Sequence, residues 1–358
     1  MRASDDIVAT SREEGAHERP PLLVLDRIEA FLDGHGLGQG QLRASRIGDG
    51  GGSNFSFLLE RGGERFVLRR PPRPPLPPSA HDMVREARLQ LALAPQGIRL
   101  PPILAVCEDE GVLGVPFYVM RFLDGHVVTD RLPPGLDDPA ARGRLGDELI
   151  VALVEIHAAD VSDPALAAFA RPGSYLERQV RRFSQLWEIN ATREISAVVE
   201  VGTRLADELP QPLPDTVVHG DYRLGNLMVE RARPDRVQAV LDWEMGAIGD
   251  PRADLGYLLA TYTEPGGGPS PLGVSPVTAL EGFPTKAELV ACYEERSGRE
   301  VGPLGWFEAL ALWKAAVFCE AIYGRFTRGE LGAEDARAAG FEHAVPLMAD
   351  SALARLVA

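Results

Sequence analysis

A two-lobed α+β fold is what this sequence predicts, with a small antiparallel sheet and one helix in the first lobe and a mostly helical second lobe. Three observations carry that expectation. Segments of alternating apolar and polar residues cluster between residues 42 and 122, apolar residues at three- and four-residue spacing dominate the later chain, and a loop rich in His, Asp and Asn at residues 219–226 precedes two short strand-like runs. At 358 residues the chain can bury a large core and is expected to divide in two.

The elements follow in order. Residues 1–20 are polar and read as a mobile N-terminal arm. A helix is expected from Val24 to Leu32, closed near Gly34 or Gly36. Strands follow at Leu42–Ile47, Phe55–Glu60 and Arg65–Arg69, then a helix from about His81 to Leu93, then strands near Ile103–Val106 and Phe117–Phe122. This gives a first lobe over 21–123 and a second over 124–358. Pro71–Pro78, between the third of these strands and the helix that follows it, reads as a stiff extended spacer; a ligand for an aromatic groove is the alternative. Leu145, Leu149, Leu153 and Ile156 mark a helix leading to His157, which reads as a hydrogen-bonded core histidine. Further helices are expected at Leu255–Tyr262, Lys286–Arg296, Trp306–Phe326 and Ala333–Leu356, the last three forming a substrate-facing wall together with Ser174–Glu188. Gly266–Pro271 reads as a lid or a plain loop.

Composition excludes several functions. A formal charge of −15 argues against a nucleic-acid partner, which calls for a basic face. Cys107, Cys292 and Cys319 have neither disulfide-framework nor metal-ligand spacing. The first residues lack a signal-peptide pattern and no apolar run reaches membrane-spanning length, so a soluble cytoplasmic protein with no membrane partner is expected. Oligomeric state is left open.

The chemistry is concentrated in His219-Gly220-Asp221-Tyr222-Arg223-Leu224-Gly225-Asn226 and Leu241-Asp242-Trp243-Glu244. Phosphoryl transfer requires a positioned acceptor oxygen and neutralised phosphate charge, and little covalent help. Asp221 can take the hydroxyl proton. Asn226 lies five residues later and Asp242 a further sixteen, so a loop and the hairpin Leu227–Glu230 and Val237–Leu241 can return both as oxygen ligands for Mg²⁺. Singly, each of these residues is equally at home as a turn or cap residue. In this order, they form the catalytic-loop and metal-aspartate layout of protein-kinase-like enzymes.

These segments, with Gly249-Asp250-Pro251-Arg252-Ala253-Asp254-Leu255-Gly256, resemble the aminoglycoside phosphotransferase-like (choline kinase-like) superfamily of small-molecule kinases over nearly the whole chain after about residue 20. Phe66-Val67-Leu68-Arg69-Arg70-Pro71-Pro72, Ser79-Ala80-His81, Arg85-Glu86 and Pro116-Phe117-Tyr118-Val119-Met120 resemble one branch, the kinase-like domains joined to acyl-CoA dehydrogenases. Here the kinase-like part is expected to stand alone. The resemblance implies a protein-kinase-like fold and an ATP- and Mg²⁺-dependent transferase with an alcohol as acceptor. That small-molecule acceptor is an aminoglycoside or amino alcohol by the superfamily, or a hydroxyacyl-CoA-type metabolite by the branch.

The same resemblance distributes the nucleotide contacts. Gly51, Gly52, Ser53 and Asn54 lie in a glycine cluster between two strands, where backbone N–H groups can meet phosphate, although a hairpin turn explains the cluster equally well. The only lysines are Lys286 and Lys314, so the phosphate-binding lysine of a kinase is replaced on the third strand by Arg69, with Glu86 as its ion-pair partner. Backbone groups near Arg121 and Leu123 are the expected adenine hinge, with Val67 and Met228 as apolar roof and floor. Asp254 resembles the aspartate that pins the catalytic loop, and Asp250 reads as a cap. Two other classes remain: a nucleotide-binding regulator without catalysis, suggested by the missing lysine, and a metal hydrolase using His219, Asp221 and Asp242.

Overall fold

The computed structural model describes residues 6–15, 19–48, 54–74, 76, 81–268, 270–330 and 338–357. The chain folds as an α+β protein in two compact units, Met1–Ala94 with Pro101–Leu123, and Pro95–Leu100 with Asp124–Ala358.

In the first unit, β1 (Ile7–Val8) leads through α1 (Ser11–Glu14) to β2 (Leu23–Val24), with which β1 pairs in parallel. Residues 6–15 are therefore not the mobile arm the sequence suggested. Val8 is buried in the same cluster as Leu22, Leu23, Ile28 and Leu32, and the Ser11 N–H and hydroxyl both donate to Asp26. Then come α2 (Leu25–Gly34), β3 (Arg43–Ile47), β4 (Phe55–Arg61), β5 (Glu64–Arg70), α3 (Met83–Leu93), β6 (Ile103–Cys107), α4 (Glu110–Leu113) and β7 (Phe117–Arg121). The sheet order is β3-β4-β5-β7-β6 and every pairing is antiparallel. Alternation decides its faces: Phe57, Leu59, Phe66, Leu68, Phe117 and Val119 point to the α2 side and are buried there. Tyr118 points the other way, against Met83 and Ala87 of α3. The Asp82 side chain caps α3 by accepting from the Arg85 N–H at 2.9 Å.

The second unit contains β8 (Gly125–Val127), α5 (Pro139–His157), α6 (Pro164–Ala167), α7 (Tyr175–Asn190), α8 (Ser196–Asp207), β9 (Thr216–Val218), β10 (Leu227–Glu230), β11 (Val237–Val240), β12 (Ala247–Gly249), α9 (Arg252–Thr261), α10 (Lys286–Ser297), α11 (Gly305–Thr327) and α12 (Phe341–Val357). Two small antiparallel sheets, β11-β10-β8 and β12-β9, are set among the helices. Residues 95–100 belong to this unit rather than to the first lobe, because Arg99 donates to Glu148 at 2.6 Å, Glu155 at 2.7 Å and the Val237 carbonyl at 2.9 Å. Helix α11 is apolar on nearly all sides because it packs against α7, α8, α9 and α12 at once. Among the described residues no helix is long and apolar enough to cross a membrane.

Candidate active site

The loop that begins at His219 is held by one carboxylate. Asp254, fully buried in the first turn of α9, accepts from the His219 N–H at 2.6 Å and the Gly220 N–H at 2.7 Å. Its Oδ2 also meets His157 Nε2 at 3.2 Å, and the Tyr293 hydroxyl holds the other ring nitrogen at 2.8 Å. His157 is thus a buried support for the loop and not a group facing substrate. Gly220 adopts φ +85°, and a Cβ there would stand 2.8 Å from Met245 Cβ, so the turn between His219 and Asp221 requires glycine. Asp250 is not a helix-end cap alone: it accepts from the Leu213 N–H at 3.1 Å and grips the Arg252 guanidinium at 2.6 Å.

Above that support, Asn226 Nδ2 donates to Asp221 Oδ2 at 2.7 Å and to the Asp221 carbonyl at 2.8 Å. The Asn226 amide oxygen is left as the atom suited to a hard cation. Strands β10 and β11 pair Leu227 with Val240, and the Leu241 N–H donates to the Asn226 carbonyl at 2.8 Å. Asp242 follows directly, in the left-handed region at φ 68°, ψ 64°. A non-glycine residue there is strained, and such strain is concentrated where side-chain direction matters. The loop joins Asp221 to Asn226 by hydrogen bond, and the hairpin returns the chain beside Asn226 one residue before Asp242; an amide oxygen and a carboxylate are donor types that suit Mg²⁺, which takes one or two protein carboxylates and completes its shell with phosphate and water.

His219 takes no part in ligation. Its Nε2–H donates to the Leu241 carbonyl at 2.9 Å and its Nδ1 accepts from the Asp221 N–H at 3.2 Å, so both ring nitrogens are committed to the backbone. Among the described residues no group of three or more His, Cys, Asp and Glu side chains is arranged to hold a metal. The hydrolase alternative, which required His219 as a ligand, does not fit this geometry.

In the first unit, Arg69 on β5 lies beside Tyr118 of β7, and its Nε stands 3.3 Å from Glu86 Oε1 on α3. The Glu86 side chain is 1% exposed, and its Oε1 also accepts from the Tyr118 hydroxyl at 3.0 Å. Arginine and glutamate hence occupy one strand and the helix behind it, as the sequence reading expected. Val67 is buried on β5, while Met228 is partly exposed on β10 of the second unit. At the hinge, the Arg121 N–H is already committed to the Pro102 carbonyl at 2.8 Å, so it is unavailable to a ligand; the Leu123 N–H has no backbone acceptor among the described residues. Asn54 Oδ1 is 2.9 Å from His81 Nδ1. Gly51, Gly52 and Ser53 lie outside the described residues.

Three residues near Asp221 were not given roles by sequence reasoning. Arg223 Nε is 3.5 Å from Asp221 Oδ1. Tyr257 on α9 has its hydroxyl pKa driven well above the usual range, by burial first and then by the Asp221 charge beside it. Asp221 Oδ1 is itself buried without a hydrogen bond of ordinary geometry. Lys314, on α11, is buried with its ammonium 4.9 Å from the centre of the Phe183 ring. Arg223 sits inside the motif and was legible there. The signal for Lys314 was a single lysine in the apolar run Leu310-Ala311-Leu312-Trp313-Lys314-Ala315-Ala316-Val317.

Comparison with known proteins shows the family and fold to which the chain is similar. Residues 44–274, more than half of the chain, match the family described as Phosphotransferase enzyme family. A Ralstonia eutropha JMP134 protein, whose assignment as an aminoglycoside phosphotransferase is itself provisional, has a crystal structure that is 30% identical, with a TM-score of 0.74 over 92% of this chain and 97% of that one. An aminoglycoside phosphotransferase APH(4)-Ia, solved with ADP and hygromycin B, shares the fold at 15% identity, with a TM-score of 0.57 over 90% of this chain and 98% of that one. Acyl-CoA dehydrogenase family member 10 of Mus musculus is 32% identical over 88% of this chain and 30% of its own length, and member 11 of Homo sapiens is 31% identical over 86% and 40%. The chain therefore spans less than half the length of these two relatives.

Proposed function

This chain belongs to the phosphotransferase enzyme family, and from that membership we propose that it transfers the γ-phosphate of ATP to a hydroxyl of a small molecule. The observation that supports this best is the hydrogen-bonded path from Asp221 Oδ2 through Asn226 to Leu241, the residue before Asp242, as the reading of Asp221 as base and of Asn226 and Asp242 as metal ligands requires. Magnesium-bound ATP, when present, supplies the electrophilic phosphorus and a counter-charge for its oxygens.

The protein's part is positioning. Asp221 accepts the proton of the attacking hydroxyl, with Asn226 Nδ2 fixing the orientation of its carboxylate at 2.7 Å. The Asn226 amide oxygen and the Asp242 carboxylate are the metal ligands. Arg69 is the phosphate clamp, and Glu86, held by Tyr118, fixes the direction of its guanidinium. Leu123 supplies the hinge N–H for adenine. Asn54, whose Oδ1 lies 2.9 Å from His81 Nδ1, is a candidate phosphate contact.

The acceptor follows from two sets of relatives. Solved neighbours named for aminoglycosides and macrolides support an aminoglycoside or amino alcohol. Relatives named as acyl-CoA dehydrogenase family members, at 30–34% identity, support a hydroxyacyl-CoA-type metabolite. The test is ADP release from Mg²⁺-ATP over a panel of both classes, with Asp221→Asn as the control. Release that needs an acceptor and falls by about a hundredfold or more in Asp221→Asn is expected; equal turnover by the variant overturns the assignment of the base. Nucleotide binding without release on any acceptor favours the regulator reading instead.

A further inference from the structure

Lys314 is the least explained charge in the second unit. Its residue is 7% exposed, and among the described residues no carboxylate lies within ion-pairing distance and no hydrogen bond satisfies its ammonium. Unpaired buried lysines are rare because desolvation penalises the charged form. What the ammonium meets is the face of Phe183 on α7. Around it, Arg182 on α7 opposes its charge, while Asp254 on α9 and Asp221 on the catalytic loop favour it from beyond contact distance. It is not the counter-ion of either carboxylate. Asp254 is already saturated by two backbone N–H groups and His157, and Asp221 has Arg223 at 3.5 Å.

A second, independent group is also incomplete. Gln179, one helical turn before Phe183 on α7, has its Oε1 buried without a hydrogen bond. Helix α7 thus carries an unsatisfied amide oxygen one turn from the ring that beds an unpaired cation. Native structures leave few such groups unless something absent completes them.

We infer that Lys314 is the acceptor-recognition cation of this site and that the hydroxyl substrate carries a negative group, a carboxylate or a phosphate ester, which pairs with it. This rests on the proposed phosphotransferase reading, and it selects within that reading against polycationic acceptors. An oxyanion entering here gains a charge partner in an apolar setting, where the interaction is strong, and relieves the ammonium of its isolation. Arg182 and Arg223 add to the positive field that such a group meets.

The chain has two lysines, so protein labelled with ¹³Cε,¹⁵Nζ-lysine gives two side-chain signals, and Lys286, paired with Glu308 at 3.3 Å, is the internal reference. Titration of the full chain with butyrate, methyl phosphate and butylammonium is expected to move the Lys314 signal saturably with an anion, and not with the cation; which anion does so identifies the group. No shift with either anion, or an equal shift with butylammonium, overturns the inference. In ADP release, 4-hydroxybutyrate is expected to be used in preference to 4-aminobutan-1-ol. Lys314→Met is expected to raise the KM for the hydroxy acid by about tenfold or more, with Lys314→Arg restoring most of it. Preference for the amino alcohol sinks the proposal. Where neither alcohol turns over, the lysine titration alone decides, and anion binding by a chain that binds no nucleotide refutes the phosphotransferase reading while leaving the anion site standing.

Discussion

Replacing Lys314 by methionine should stabilise the protein, and the size of the gain can be worked from its surroundings. Methionine keeps the unbranched length and fills the same space without a charge. Burial, with Arg182 adding to it and Asp254 and Asp221 opposing, pulls the ammonium from an ordinary 10.5 to about 8. At 1.36 kcal/mol per pH unit, keeping it charged at neutral pH costs the folded state about 3 kcal/mol. The contact with Phe183 returns about 1–2 kcal/mol of that when the charge is present. A net gain of about 1–2 kcal/mol is expected at pH 7, read as a higher urea midpoint at unchanged slope. Because the folded-state pKa is lowered, the unfolded chain binds more protons between pH 8 and 10.5, so wild-type stability from this group rises through that window and the advantage of methionine shrinks there. Urea curves of both proteins at pH 7 and pH 10 test this. A methionine variant less stable than wild type at pH 7, or an advantage that widens with pH, refutes the reasoning. A residue retained at such a cost is what a functional site exacts from stability.

Other perturbations probe the remaining parts. Arg69→Ala is expected to weaken ATP binding or turnover by about tenfold or more, since it removes the proposed clamp and its ion pair with Glu86; unchanged kinetics would take Arg69 out of the site. Asp242→Asn should keep the fold, because asparagine tolerates positive φ, while losing most Mg²⁺-dependent turnover. Asp242→Val should in addition lower stability by about 1–2 kcal/mol, and equal melting temperatures for the two would argue against backbone strain at φ 68°. Asp254→Ala should cost about 3 kcal/mol or more by leaving two buried N–H groups and His157 without their acceptor, measured by thermal denaturation; a change below about 1 kcal/mol would show that the loop does not depend on it.

Local pattern was enough for much of this molecule. The strands around Phe57, Leu68 and Val119 announce themselves by alternation, the helix ending at His157 by its leucine spacing, and the proposed base and metal ligands, Asp221, Asn226 and Asp242, by their order along a short loop and hairpin. None of these depends on knowing what lies across the core. Long-range packing decided the rest. Asp254 reaches His157 across 97 residues, and Arg99 joins Glu148 across 49; no periodicity encodes such meetings. Val8 looked like part of a polar arm because its partner strand is only two residues long, too short to leave an alternating signature. Lys314 reads in sequence as an interruption of an apolar helix. Only the packing of α7 and α9 around that helix places its charge over Phe183 and within the field of Asp221, because burial is a property of the assembled core and not of any one segment.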